Sequence, residues 1–81
     1  MLIFVKTLKG ESIPLDVNLK DSVSHIKELI QVATTIPATE QSCSFGAVLL
    51  EDTRLLSDYI IQHESTIHLV WVQNNIITSI H

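Results

Sequence analysis

Residues 50–70 read LEDTRLLSDYIIQHESTIHLV. The end of this stretch alternates: from Thr66 to Val72, Ile67, Leu69 and Trp71 fall on one side and His68 and Val70 on the other, the period of a strand with one buried face. The part before it has no period, and Leu50, Leu56 and Ile61 are its apolar anchors. Working back along the chain, Gln41 to Phe45 reads as a strand, Gly46-Ala47 as a turn and Val48-Leu49 as a two-residue strand. Earlier still, Asp21-Ser22 offers a helix N-cap, and Val23, Ile26 and Ile30 recur at i, i+3 and i+7 on one helical face. Ile36-Pro37 closes that helix, because the residue before proline is pushed out of the helical region. At the start, Met1, Ile3 and Val5 alternate with Leu2, Phe4 and Lys6; Leu8-Lys9-Gly10 supplies a turn, and Ile13, Leu15 and Val17 then face inward. Pro14 cannot donate to a ladder and places this second strand at a sheet edge. Two strands, one helix and three further strands make a small α+β sheet packed on one helix.

A chain of 81 residues forms one domain. Five basic residues against nine acidic ones give a net charge of −4, which argues against a nucleic-acid partner. The mean hydropathy is positive at +0.32, yet the apolar runs are a few residues long, far below the ~20 that span a bilayer, so no membrane role is expected. MLIFVKTLKGE has neither a basic segment before its apolar run nor an apolar core of signal length, so a secretory signal is not expected. A single cysteine, Cys43, excludes an internal disulfide and points to a reducing, intracellular setting, cytoplasmic or nuclear. His25, His63, His68 and His81 lack the spacing of zinc ligands, so no metal and no cofactor are expected. Ser44 and His68 have no orienting carboxylate, and the chain is not read as an enzyme.

MLIFVKTLKG at 1–10, IPATEQ at 36–41, and the 50–70 stretch with its LSDY-x-IQ-x-EST run followed by HLV resemble the ubiquitin family, position for position without a gap through residue 70. The resemblance implies a β-grasp fold over residues 1–72, a mixed sheet of four to five strands on one helix, with 73–81 as a flexible C-terminal tail. The core positions Ile3, Val5, Ile13, Leu15, Val17, Ile26, Ile30, Leu50, Leu56, Ile61, Ile67 and Leu69 match, and Cys43 stands where the family has a core leucine. Lys27 and Asp52 match a pair implied to be a largely buried salt bridge; breaking one half of such a pair costs ~3–5 kcal/mol. Tyr59 matches a tyrosine whose hydroxyl ties a loop. Thr35 replaces a helix-ending glycine, a change worth ~1 kcal/mol if the left-handed conformation is kept. Leu29, Val32 and Ala33 lie where the family is polar and are expected to be wet.

The family's recognition surface maps onto Leu8, Ser44, His68 and Val70. Ser44 takes the place of the central isoleucine, and losing such an anchor costs over ~1 kcal/mol. Gly46, Ala47, Val48 and Leu49 beside it supply material for a shifted apolar patch. A second surface maps onto Leu8, Ile36 and Trp71. The positions of the family's conjugating diglycine hold Asn75 and Ile76, so conjugation through that chemistry is not expected. Its principal chain-forming lysines fall on Glu11, Leu29, Ala33, Val48 and His63; Lys6 and Lys9 remain as exposed candidate acceptors, while Lys27 is expected to be buried. The reading is a monomeric ubiquitin-like interaction module with ubiquitin-pathway proteins as partners, compatible with the N-terminal domain of a longer protein. The alternative is a divergent protein tag or a degenerate ubiquitin copy. The tail's Ile76, Ile77 and Ile80 could dock on the sheet edge or near Trp71, but the ordering cost that leaves short tails frayed outweighs this, and a flexible tail is expected.

Overall fold

The alternating N-terminal residues form β1 (Leu2–Lys6) and β2 (Ser12–Asp16) in the computed structural model, which describes residues 1–72; the readings of the 73–81 tail lie outside the described residues. The two strands pair antiparallel, Phe4 opposite Pro14 and Val5 opposite Ile13. Their turn is closed by Gly10 N–H donating to Thr7 O at 3.0 Å, with Gly10 at φ +87°, where a side chain would be strained.

Helix α1 (Val23–Thr34) begins at Ser22, whose Oγ accepts from the His25 N–H at 3.2 Å. A short 3-10 turn (Ala38–Glu40) leads into β3 (Gln41–Phe45), which turns through Gly46 into β4 (Val48–Leu49); a second 3-10 turn (Leu56–Asp58) precedes β5 (Thr66–Trp71). The strand order is β2-β1-β5-β3-β4. β1 and β5 run parallel while the other neighbours are antiparallel, so the sheet is mixed, and Pro14 sits on an edge strand. This is the α+β β-grasp architecture.

One face of the sheet and one face of α1 make the core. Ile3, Val5, Ile67, Leu69 and Cys43 come from the strands, Val23, Ile26 and Ile30 from the helix, and Leu50, Leu56 and Ile61 from the aperiodic segment. Ile13 and Leu15, on the edge strand, are only half-buried. Gln41 is buried and clamps helix to sheet, its Nε2 donating to Lys27 O at 2.8 Å and to Ile36 O at 3.0 Å.

Three expectations change. Leu29 is half-buried against the core, because the apolar arc of a sheet-packed helix is wider than its central line; Val32 and Ala33 are exposed as anticipated. Lys27 Nζ meets Asp52 Oδ1 at 2.6 Å, but only the lysine is buried: the Asp52 side chain is 60% exposed, so the pair opens to water on one side and breaking it costs less than a fully buried pair would. Trp71 shares the inward register of Gln41, yet at the strand end it is 48% exposed.

Thr35 keeps the left-handed conformation, at φ 65° and ψ 5°, with its N–H donating to Gln31 O at 2.7 Å. A β-branched residue pays for that geometry through its Cβ. Replacing it by glycine (Thr35→Gly) is therefore expected to raise stability by about 0.5–1 kcal/mol net of the extra chain entropy, and Tm by a few degrees; an unchanged or lower Tm in a thermal melt refutes the strain.

Burial pushes the Cys43 thiol from its ordinary 9.0 up to about 11, Lys27 opposing and Asp52 adding to the shift. The folded state thus holds its proton while the unfolded thiol ionises, so the thiol's contribution to stability is intact below pH 9 and is lost as pH rises through 11. The loss is of order 3 kcal/mol. Denaturant titrations of the parent and Cys43→Val between pH 8 and 11 are expected to diverge with rising pH, the parent falling faster; parallel curves contradict the burial.

Candidate functional site

Strand register builds the outward face of the sheet. Lys6 pairs with Ser12 and with His68, His68 with Ser44, and Ser44 with Leu49. One row therefore runs across all five strands in the order Ser12, Lys6, His68, Ser44, Leu49. Successive strand residues point to opposite faces; since Val5, Ile67 and Cys43 are buried, the row faces away from the helix. Val70, opposite Ser42, lies on the same face beside it. Leu8 stands on the turn after β1 and is 81% exposed.

The register thus brings His68, Ser44, Val70 and Leu49 together. Ser44, half-buried between His68 and Leu49, occupies the middle of the row. Val48 does not join this face: it is opposite Phe45, one residue along from Leu49, so it turns around the β4 edge. Gly46 and Ala47 form the exposed hairpin tip, with the positive φ of 62° on Gly46.

Leu8, Ile36 and Trp71 gather around a different feature, a cleft of about 480 Å³ between the β1–β2 turn, the end of α1 and the end of β5, floored by Ile13 and Leu69. Glu40 anchors its rim: its carboxylate accepts from Trp71 Nε1 at 2.9 Å and its backbone oxygen from Val72 N–H at 2.7 Å.

Of a third feature, sequence reasoning named Val48 and Leu49 as material for a shifted patch and missed Phe45, Tyr59 and Ile60. A groove of about 500 Å³ at the β4 edge is lined by Phe45, Val48, Leu49, Tyr59 and Ile60. The available signal was the triplet Tyr59-Ile60-Ile61: Ile61 fills the core, and its neighbour Ile60 is 81% exposed. The wall is held by polar contacts, with the Tyr59 hydroxyl accepting from Glu51 N–H at 2.9 Å and Arg54 Nε donating to Glu51 at 2.6 Å. That bond and the charge beside it hold the guanidinium above its ordinary pKa. Of the lysines, Lys6, Lys9 and Lys20 are exposed, whereas Lys27 is buried. Among the described residues, no helix is long and apolar enough to cross a membrane.

Comparison with known proteins agrees with this architecture. A sequence model of the ubiquitin family matches residues 3–74. The chain is 39% identical over 70 residues to a "Ubiquitin-like protein NEDD8" of Dictyostelium discoideum, covering 86% of this chain and 91% of that one. It is 37% identical over 70 residues to "Ubiquitin-like protein 1" of Schizosaccharomyces pombe, covering 86% and 90%. Against "Ubiquitin-like protein 4A" of Danio rerio it is 36% identical over 70 residues, spanning 86% of this chain but 45% of that protein. By sequence match and by fold, the chain belongs to the ubiquitin family.

Proposed function

We propose that the chain is a ubiquitin-like interaction module rather than an enzyme, one that docks on ubiquitin receptors, proteasomal proteins or conjugation enzymes without being attached to them. The observation that carries this is the outward face: exposed His68, Val70 and Leu49 lie about Ser44, with Leu8 exposed separately on the turn after β1, on a sheet whose own core is complete without them. Apolar residues converging on one face in this way suit a protein contact. Ser44 weakens it at the centre, where a partner meets a hydroxyl in place of an apolar anchor.

The sequence at Asn75-Ile76 supports the unattached state. Terminal-glycine conjugation needs a carboxylate on a tail without side chains, which these residues do not supply. Lys6 and Lys9, exposed on β1 and its turn, are the proposed acceptors if another tag is placed on this chain. With acid in excess at −4, the module is proposed to act as a monomer inside the cell.

Two measurements test this. Titration of labelled chain with a recombinant ubiquitin-associated domain is expected to shift amides on the outward face or its margin, and Ser44→Ile is expected to tighten binding by roughly 5- to 30-fold, the equivalent of ~1–2 kcal/mol. No shift anywhere at millimolar partner removes the reading. Incubation with ubiquitin-activating enzyme and ATP is expected to give no thiol-reducible adduct of this chain; an adduct would instead establish the divergent tag.

A further inference from the structure

We infer that the centre of the outward face, at Lys6, His68 and Ser44, seats a carboxylate: the protein that docks there presents an Asp or Glu side chain to the middle of the sheet, with apolar neighbours over Val70 and Leu49. The inference rests on the interaction-module reading and specifies the chemistry of its partner.

Register lines the three residues up. Lys6 on β1 pairs with His68 on β5, and His68 with Ser44 on β3. Adjacent strands are ~4.8 Å apart, so His68 has an ammonium-bearing strand on one side and a hydroxyl-bearing strand on the other. Lys6 and His68 are exposed and Ser44 is half-buried. The ammonium and the hydroxyl are hydrogen-bond donors, and an imidazole offers at least one N–H. Donors drawn from three neighbouring strands suit a group that only accepts, and a carboxylate has two oxygens to share among them. An apolar side chain in the same place would cover the Ser44 hydroxyl without giving it a bond. Val70, two residues along β5 from His68, and Leu49, opposite Ser44, supply an apolar margin on either side.

Charge on this face is unevenly placed. Its carboxylates sit at the other end: Asp16 is opposite Leu2 and pairs with the Met1 amine at 3.1 Å, and Glu64, whose N–H bonds Leu2 O, has its carboxylate 3.7 Å from His63 Nε2. Glu11, in the β1–β2 turn, lines the cleft floored by the inward residues Ile13 and Leu69, together with Lys9. At the β4 edge Glu51 is paired with Arg54 at 2.6 Å and Asp58 accepts from Leu55 N–H, and β3 separates β4 from β5. Of the strands beside β5, β1 brings Lys6 to His68 and β3 brings the uncharged Ser44. The ion pairs among the described residues include neither Lys6 nor His68, and residues 65–81 carry no Asp or Glu. The centre is thus locally positive, and its complement on a partner is an anion. A nucleic-acid strand would bring many phosphates against a chain of net charge −4, whereas one side-chain carboxylate meets only the centre.

The test is a heteronuclear titration of labelled chain with a ubiquitin-associated domain in two forms, with Asp or Leu at its central contact residue. Expected are shifts at Lys6, His68 and Ser44 with the Asp form, and an affinity roughly tenfold above that of the Leu form. Lys6→Gln is expected to remove most of that preference and Ser44→Ile to reverse it. The Asp form is also expected to bind more tightly at about pH 6 than at about pH 8, as an imidazole takes up its proton, and this gain to vanish in His68→Gln. The spectrum itself reports that the variants are folded. A Leu form that binds the parent as well as the Asp form does overturns the carboxylate seat and leaves the module standing. A preference for Asp that survives both Lys6→Gln and His68→Gln places the carboxylate elsewhere and also overturns it. No shifts with either form overturn both readings. Shifts that follow the chain's own concentration assign the face to a second copy and overturn the inference.

Discussion

The parallel pairing of β1 with β5 is the constraint on which the remaining structure depends. It joins Phe4 to Thr66, Val5 to Ile67 and Lys6 to His68, residues from opposite ends of the domain. Parallel neighbours cannot be linked by a tight turn and need a crossover. Here the crossover is the whole middle of the chain, and α1 within it is laid across the inner face. Val5 and Ile67, opposite each other, are fully buried beneath that helix. The backbone reinforces the seam: Phe4 N–H donates to Ser65 O at 2.9 Å and Glu64 N–H to Leu2 O at 2.6 Å. Without this seam the β1–β2 hairpin separates from β5, β3 and β4, and neither half has a face wide enough to bury the helix.

Much of this was legible in the sequence because elements have periods. Alternation around Ile3, Ile13 and Ile67 marks strands, Ser22 with Val23, Ile26 and Ile30 marks a helix start and its face, and Pro14 marks an edge. What periods cannot give is what lies over a face. Trp71 obeys the alternation of β5, but α1 stops at Thr34, and the space above the strand end is the open cleft with Leu8 and Ile36. Asp52 was expected under cover as the partner of Lys27; it sits in an aperiodic segment whose path only the tertiary structure defines. The site is divided in the same way. Leu8, His68 and Val70 follow from family positions, whereas the adjacency of Ser44 to Leu49 and the turning away of Val48 are properties of register. Ile60 lies where no period applies.

Among the described residues, two that are not glycine, Thr35 and Glu64, hold positive φ at 65° and 67°. In both, neighbouring hydrogen bonds over-determine the backbone: Thr35 N–H on Gln31 O ends the helix, and Glu64 N–H on Leu2 O belongs to the β1–β5 seam. Local cost is tolerated where the global arrangement leaves the chain no alternative. The same reasoning covers Cys43, a smaller residue than leucine in the centre of β3, fully enclosed yet carrying a thiol that cannot easily ionise there. The fold is specified by many residues at once, so single positions are free to depart from the best choice.

That freedom does not extend evenly to the surface, where a single position sets which partner fits. A partner built to press an apolar side chain on the sheet centre would meet the Ser44 hydroxyl instead, half-buried already between His68 and Leu49. Covering it without a hydrogen bond costs ~1–3 kcal/mol, in addition to the lost apolar contact. Ser44 thus acts against a partner that centres an apolar side chain on the sheet, and such an unfavourable contact contributes to specificity as much as a favourable one does. The core beneath is closed without the outward side chains, so a change on that face bears on what the sheet presents and leaves the fold in place.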